Sequence, residues 1–235
     1  MRAVLVEHNQ LTSNDTITVT GDMYEHLVRV ARVRVGENVK ILNGRGLVGM
    51  GEVSHIDKKA VTVKVDECSY ENNTSKIDLA ICVPKKEAYE LVLKQSAELR
   101  IGRIIPVISE YATKNSFNLE RITRVIESGV LQSNCSWAPV VASEIDFESF
   151  LSVCAGYEMV IYFSSISNST IGDFNHKSKK ILMIVGPEGG LAPFEEGEIG
   201  ELPNCLIIHL PTNILRTPTA VSCGVGFIHG CPILA

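Results

Sequence analysis

From residue 77 onward, apolar runs of strand length alternate with segments of helical periodicity, and this alternation narrows the fold more than any other feature of the chain. Strand-like runs fall at 77–83, 104–108, 159–163, 180–185 and 206–210. Helical spacing marks 86–99, where Tyr89, Leu91, Val92, Gln95 and Leu99 recur on one side, and also 119–133, 193–200 and 218 to about 228. Strand followed by helix followed by strand closes most readily as a mostly parallel sheet covered by helices.

The first seventy residues follow another rhythm. Short β segments at 2–6, 16–20, 39–43, 48–53 and 60–65 surround a single helical stretch at 21–32, which places Leu27, Val30 and Ala31 on one side. Asn43-Gly44 and Asp57-Lys58 supply turns, and Val61, Val63 and Val65 alternate with Thr62 and Lys64 as in a half-buried sheet. A small β-barrel or sandwich is expected. The polar residues 68–76 contain the connection, so the chain divides into a β domain at 1–70, a linker at 71–76 and an α/β domain at 77–235.

Charge is distributed unevenly. The net charge is −5, yet residues 1–125 hold 18 Lys and Arg against 16 Asp and Glu, whereas 126–235 hold 4 against 11. A polyanion is recognised by local basic surface rather than total charge, so any such surface belongs in the first half. The seven cysteines show no C-x-x-C and no zinc-finger spacing with histidine, which points to buried thiols in a reducing compartment and to no metal. Arg2, Glu7 and His8 interrupt any signal-like run, and the longest aliphatic stretches are too short to span a bilayer. A cytoplasmic protein without membrane partners is expected.

Two strand ends are chemically unusual, and ligands in open α/β sheets bind beyond the carboxyl ends of strands. The first is Val185-Gly-Pro-Glu-Gly-Gly-Leu191. It lacks the Gly-Lys-Ser/Thr ending of a phosphate loop, and its one charge is a carboxylate. Such a loop suits a cationic or neutral ligand gripped through main-chain groups, although a plain glycine-rich turn reads the same. The second is Leu210-Pro-Thr-Asn-Ile-Leu-Arg216-Thr-Pro-Thr-Ala220, where Thr217 and Pro218 open a helix behind Arg216. Arg216 is the only Lys or Arg after Lys180, and is either an anion reader or a structural ion-pair partner.

Together, in this order and about two dozen residues apart, these motifs resemble those of the bacterial small-subunit ribosomal RNA (uracil-N3)-methyltransferases of the SPOUT superfamily. His26-Leu-Val-Arg-Val-Ala-Arg32, Ser96-Ala-Glu98-Leu99 and Ile105-Pro106-Val-Ile-Ser-Glu110 extend the similarity along most of the chain. The resemblance implies an N-terminal PUA-like RNA-docking barrel and a C-terminal SPOUT α/β domain tied in a deep trefoil knot. It also implies a homodimer that uses S-adenosyl-L-methionine to methylate a uridine at N3 in 16S ribosomal RNA within the small subunit. Gly186, Glu188, Gly189, Gly190, Leu210, Ile214 and Leu215 would line the cofactor site, with Ser164 beside them. Three positions depart from the family pattern: Tyr111 and Cys135 stand where arginine is usual, and Pro218 replaces a glutamate.

Uracil N3 carries a proton at neutral pH, so methylation there needs the proton removed and the resulting anion stabilised. Arg216 is the expected catalytic cation, and Glu188 is one candidate base. Arg29, Arg32, Lys85 and Lys86 are expected to meet RNA phosphates, with Lys58, Lys59 and His26 as weaker candidates. The alternatives are a SPOUT methyltransferase with another RNA target and an inactive ribosomal-RNA-binding assembly factor. A dinucleotide dehydrogenase lacks its G-x-G-x-x-G.

Overall fold

A computed structural model of the chain describes residues 2–113, 118–164 and 180–230. It separates into two compact units, Met1–Thr74 with Glu127–Ala138, and Ser75–Ile126 with Pro139–Ala235.

The first unit is a five-stranded sheet. Its strands are β1 (Ala3–Leu5), β2 (Thr16–Val19), β3 (Asn38–Leu42), β4 (Leu47–Ile56) and β5 (Val61–Tyr70), in the spatial order β1-β3-β4-β5-β2. Val61, Val63 and Val65 point inward as their alternation requires, joining Val4, Ile17, Leu27, Val39, Ile41 and Val53 in one core. The β4–β5 hairpin runs past the expected ends because polar residues on its outer face pair as well as apolar ones do, up to Leu47 opposite Tyr70.

The expected helix at 21–32 is shorter and divided. Helix α1 (Gly21–Glu25) passes into a π-helical turn at His26–Val30, closed by Ala31 N–H donating to His26 O at 2.8 Å. The wider turn rotates the following residues off the buried face. Leu27 stays buried, but Val30 is 70% exposed. Arg32 sits beyond the turn with φ +52°, so Arg29 and Arg32 are not successive positions on one helical face.

The second unit carries a parallel sheet. Its strands are β6 (Ile77–Cys82), β7 (Arg103–Ile108), β8 (Val140–Val141), β9 (Ile145–Asp146), β10 (Met159–Phe163), β11 (Ile181–Val185) and β12 (Cys205–Ile208). The order is β12-β10-β11-β6-β7-β8, with β9 also pairing to β7. Every residue of β6 and β11 is buried, as strands in a doubly covered sheet should be; β11 is apolar throughout, and the one charge in β6, Asp78, is met by the Tyr157 hydroxyl at 2.7 Å and Lys180 Nζ at 3.0 Å. On one face Phe150 and Cys154 of α4 (Phe147–Cys154) and Ile199 of α5 (Pro193–Gly200) pack with Leu182, Ile184, Val160 and Tyr162. On the other, α6 (Thr217–Gly230) lies against β11 and against α2 (Lys86–Glu98). The approach is close: a Cβ on Gly224 would stand 2.7 Å from the Phe163 ring and 2.8 Å from Met183 sulfur.

Helix α3 (Leu119–Ser133) begins in the second unit, but 127–138 packs with the first. Trp137 Nε1–H donates to Glu71 O at 2.8 Å, Ser136 Oγ donates to the Glu71 carboxylate at 2.6 Å, and Gly46 N–H donates to Ser136 O at 2.8 Å. By contact, then, the strip 127–138 of the expected α/β domain at 77–235 groups with the first unit. These hydrogen bonds join residues 65 to 90 positions apart in sequence and leave no local periodicity to read.

Candidate active site

Three neighbouring strands, β12, β10 and β11, end side by side, and a cleft of about 270 Å³ opens beyond them. Ser164 follows β10, residues 186–191 follow β11, and the segment after β12 runs to α6. Thr217 Oγ1–H donates to Gly186 O at 3.3 Å, which brings the two sequence motifs together. Ser164, Gly186, Glu188, Gly189, Gly190, Leu210, Ile214 and Leu215 all line this cleft.

The glycine-rich loop is held from several directions. Gly190 N–H closes a turn onto Pro187 O at 3.0 Å, and Gly190 itself adopts φ +75° in open surroundings, so backbone conformation rather than crowding calls for glycine there. Glu188 reaches the N-terminus of α2, where both carboxylate oxygens receive Lys85 N–H at 3.2 and 3.3 Å. Glu195, 1% exposed, accepts Ala192 N–H and Glu110 N–H, each at 2.8 Å, and thereby ties α5 to the loop after β7. Tyr111 rests beside Gly189, its Cβ 3.3 Å from where a Cβ would be.

Among the described residues no Lys or Arg lines the cleft, while Glu188 and Glu196 both do. Tyr162, on β10, donates its hydroxyl to Glu196 Oε1 at 2.5 Å. Burial, reinforced by that carboxylate, drives the Tyr162 hydroxyl far above the ordinary phenol range and keeps it a donor. His209 Nδ1 lies 3.2 Å from Ser164 O. The lining thus matches a cationic or neutral ligand held largely by main-chain groups, and is ill-suited to a phosphate. Among the described residues no group of His, Cys, Asp and Glu converges as metal ligands, and no helix is long and apolar enough to cross a membrane.

Arg216 stands between two cleft residues, exposed, and its guanidinium has no hydrogen-bond or ion-pair partner among the described residues. Lys85 and Lys86 are exposed at the start of α2. In the first unit Arg32 is exposed and Arg29 pairs with Glu25 on the preceding turn. Cys135 belongs to the strip packed on that unit, its thiol donating to Trp137 O. Thr212 and Asn213 of the second motif also line the cleft, as do Tyr162, Glu196 and His209, which the sequence does not single out. Glu196 lies one helical turn past the glycine loop, and that position was the available signal.

Comparison with known proteins decides the family. A model of the RNA methyltransferase domain matches residues 71–228, and one of the RNA methyltransferase PUA domain matches 19–66. The chain belongs to this RNA methyltransferase family. The expected α/β fold with a PUA-like N-terminal domain is borne out. Among relatives of the family, "Ribosomal RNA small subunit methyltransferase E" of Rickettsia conorii is 27% identical over 91% of this chain and 89% of its own length. The protein of the same name from Bacillus subtilis is 26% identical over 90% and 88%. The crystal structure of the Neisseria gonorrhoeae ribosomal RNA small subunit methyltransferase E, bound to S-adenosyl methionine, superposes with a TM-score of 0.85 at 25% identity, covering 97% of each chain.

Proposed function

We propose that this RNA methyltransferase family member transfers a methyl group from S-adenosylmethionine to N3 of a uridine in small-subunit (16S) ribosomal RNA. The observation that carries the reading is the cleft itself: two family motifs meet beyond the ends of β11 and β12, on either side of β10, and among the described residues the lining bears carboxylates and no lysine. The Neisseria relative, of closely similar fold, holds S-adenosyl methionine. When bound, that cofactor supplies a methyl group already activated by its sulfonium.

The residues present fit the cofactor. Gly186, Gly189 and Gly190 let a ligand approach the main chain, while Leu210, Ile214 and Leu215 offer apolar contact and Ser164 a hydroxyl. Glu188 braces the loop through Lys85 N–H, a role that occupies its carboxylate and argues against its acting as the base. Arg216, at the start of α6 and unpaired among the described residues, stabilises the negative charge that develops on the uracil as N3 loses its proton. Positioning contributes the rest; holding nucleophile and methyl donor in line can lower a barrier by roughly 7–11 kcal/mol in favourable cases. Arg29 and Arg32 of the PUA domain, with Lys85 and Lys86, meet RNA phosphates, and the base is drawn out of its stack to reach the cleft.

In this reading the C-terminal domain is knotted, the protein is a cytoplasmic homodimer, and the substrate is RNA in the small ribosomal subunit. Transfer of labelled methyl from S-adenosylmethionine to unmodified ribosomal RNA and to assembled small subunits, followed by nucleoside mass spectrometry, tests it. A 3-methyluridine product is expected. Methylation of another atom overturns the assignment of N3, and cofactor binding without transfer to either substrate overturns the enzymatic reading.

A further inference from the structure

The bond between Tyr162 and Glu196 is unusual in what it leaves free. Tyr162 is 3% exposed, fixed in the middle of the sheet on β10, and its hydroxyl holds Glu196 Oε1 at 2.5 Å. Ser164 adds a hydrogen bond to the same tyrosine. Glu196 is only half-buried and lines the cleft, and its second oxygen, Oε2, accepts no hydrogen bond among the described residues. Of the two carboxylates that line the cleft among the described residues, Glu188 has both oxygens engaged by Lys85 N–H, so Glu196 is the one with an acceptor to spare. A half-buried carboxylate with no Lys or Arg beside it in the cavity among the described residues is costly unless a cation meets it there.

We propose that Glu196 is the counter-ion for the ammonium group at the amino-acid end of the cofactor, and that Tyr162 is the positioning residue that aims it. The inference rests on S-adenosylmethionine being the ligand. Two cationic centres on that ligand could face a carboxylate, and chemistry separates them. An ammonium donates directional N–H hydrogen bonds and is matched by a single oriented oxygen. The sulfonium has no N–H, and its methyl must stay open to the incoming base, where a fixed anion would compete with the nucleophile. A carboxylate locked by a buried tyrosine is the partner an ammonium requires.

Titration calorimetry on the full chain separates the possibilities, with three ligands: S-adenosylmethionine, S-adenosylhomocysteine, which lacks the sulfonium, and 5′-methylthioadenosine, which lacks the amino-acid end. Glu196→Gln should weaken the first two by a similar factor, roughly 10- to 100-fold for a lost charge-assisted hydrogen bond. Binding of 5′-methylthioadenosine should stay within about twofold, since nothing it carries meets Glu196. Tyr162→Phe should weaken the same two ligands by a smaller factor, and the double variant should be no weaker than Glu196→Gln, because the tyrosine acts through the carboxylate. Loss confined to S-adenosylmethionine assigns the carboxylate to the sulfonium and overturns the proposal. Equal loss for all three ligands, or for none, overturns it as well, as does full additivity of the two substitutions. Failure of the unsubstituted protein to bind any of the three overturns the cofactor reading instead.

Discussion

Glu195 offers the sharpest test of how the glycine-rich loop is held. Its carboxylate is 1% exposed and receives two backbone N–H groups, from Ala192 at the start of α5 and from Glu110 beyond β7, each at 2.8 Å. Hydrogen bonds to a charged group contribute about 1.5–3 kcal/mol each, so Glu195→Ala should cost about 3–6 kcal/mol. Glu195→Gln keeps one acceptor oxygen and turns an N–H toward the other donor, and should cost about half as much. At roughly 2–4 °C per kcal/mol for a chain of this size, the alanine variant should melt at least ~6 °C lower, with glutamine between it and the parent. Thermal unfolding followed by circular dichroism provides the measurement. An alanine variant melting within about 2 °C of the parent would refute the idea that this buried carboxylate clamps two elements together.

Three further outcomes are expected. Arg216→Ala should lower methyl-transfer turnover by roughly 10²–10³-fold, the usual loss for one oxyanion donor, and leave the cofactor dissociation constant within about threefold; parallel losses in both would contradict its assignment. Replacing Arg29 and Arg32 together by Ala should weaken RNA binding and flatten its salt dependence by a slope of roughly 1.5, and an unchanged slope would remove both from the docking surface. Burial pushes the Cys82 and Cys154 thiols up to about 12 and Cys205 up to about 11, from 9.0. The folded protein then keeps protons that the unfolded chain releases above pH 9, so this contribution to stability is complete at neutral pH and declines as pH rises from 9 toward 12. Chemical denaturation at pH 7.5 and pH 10 checks the sign; equal stability at both would speak against it.

Much of the second unit was legible because its signals are local. Continuous apolar runs announced β6, β10 and β11, and Pro193 and Thr217-Pro218 marked where α5 and α6 begin. Residues 139–158 went unread: β8 and β9 have two residues each, too few for any period to show. Helix α4 did carry a signal, Asp146 ahead of Phe147, and its side chain accepts Ser149 N–H at 2.7 Å as an N-cap. The π-turn at His26–Val30 escaped because five ordinary helix-compatible residues hide it, and only hydrogen bonding reveals the extra residue. In the cleft, the motif residues came from the resemblance of two loops to those of the family. Glu196 and Tyr162 did not, since their relation exists only once β10 and α5 are packed side by side.

The strip around Trp137 has a consequence for how the protein is made. Synthesis runs from the N-terminus, and domains ordinarily fold in the order they emerge. Here the β sheet of the first unit is fully translated by Tyr70, yet the indole that donates to Glu71 O arrives sixty-six residues after Glu71. In the interval β6, α2 and β7 are synthesised. The N-terminal unit therefore completes its hydrogen bonding only after three elements of the second unit have been made. A nascent chain released before Trp137 would carry an N-terminal sheet whose Glu71 carbonyl and carboxylate lack their partners, and no single cut in the polypeptide liberates both units intact.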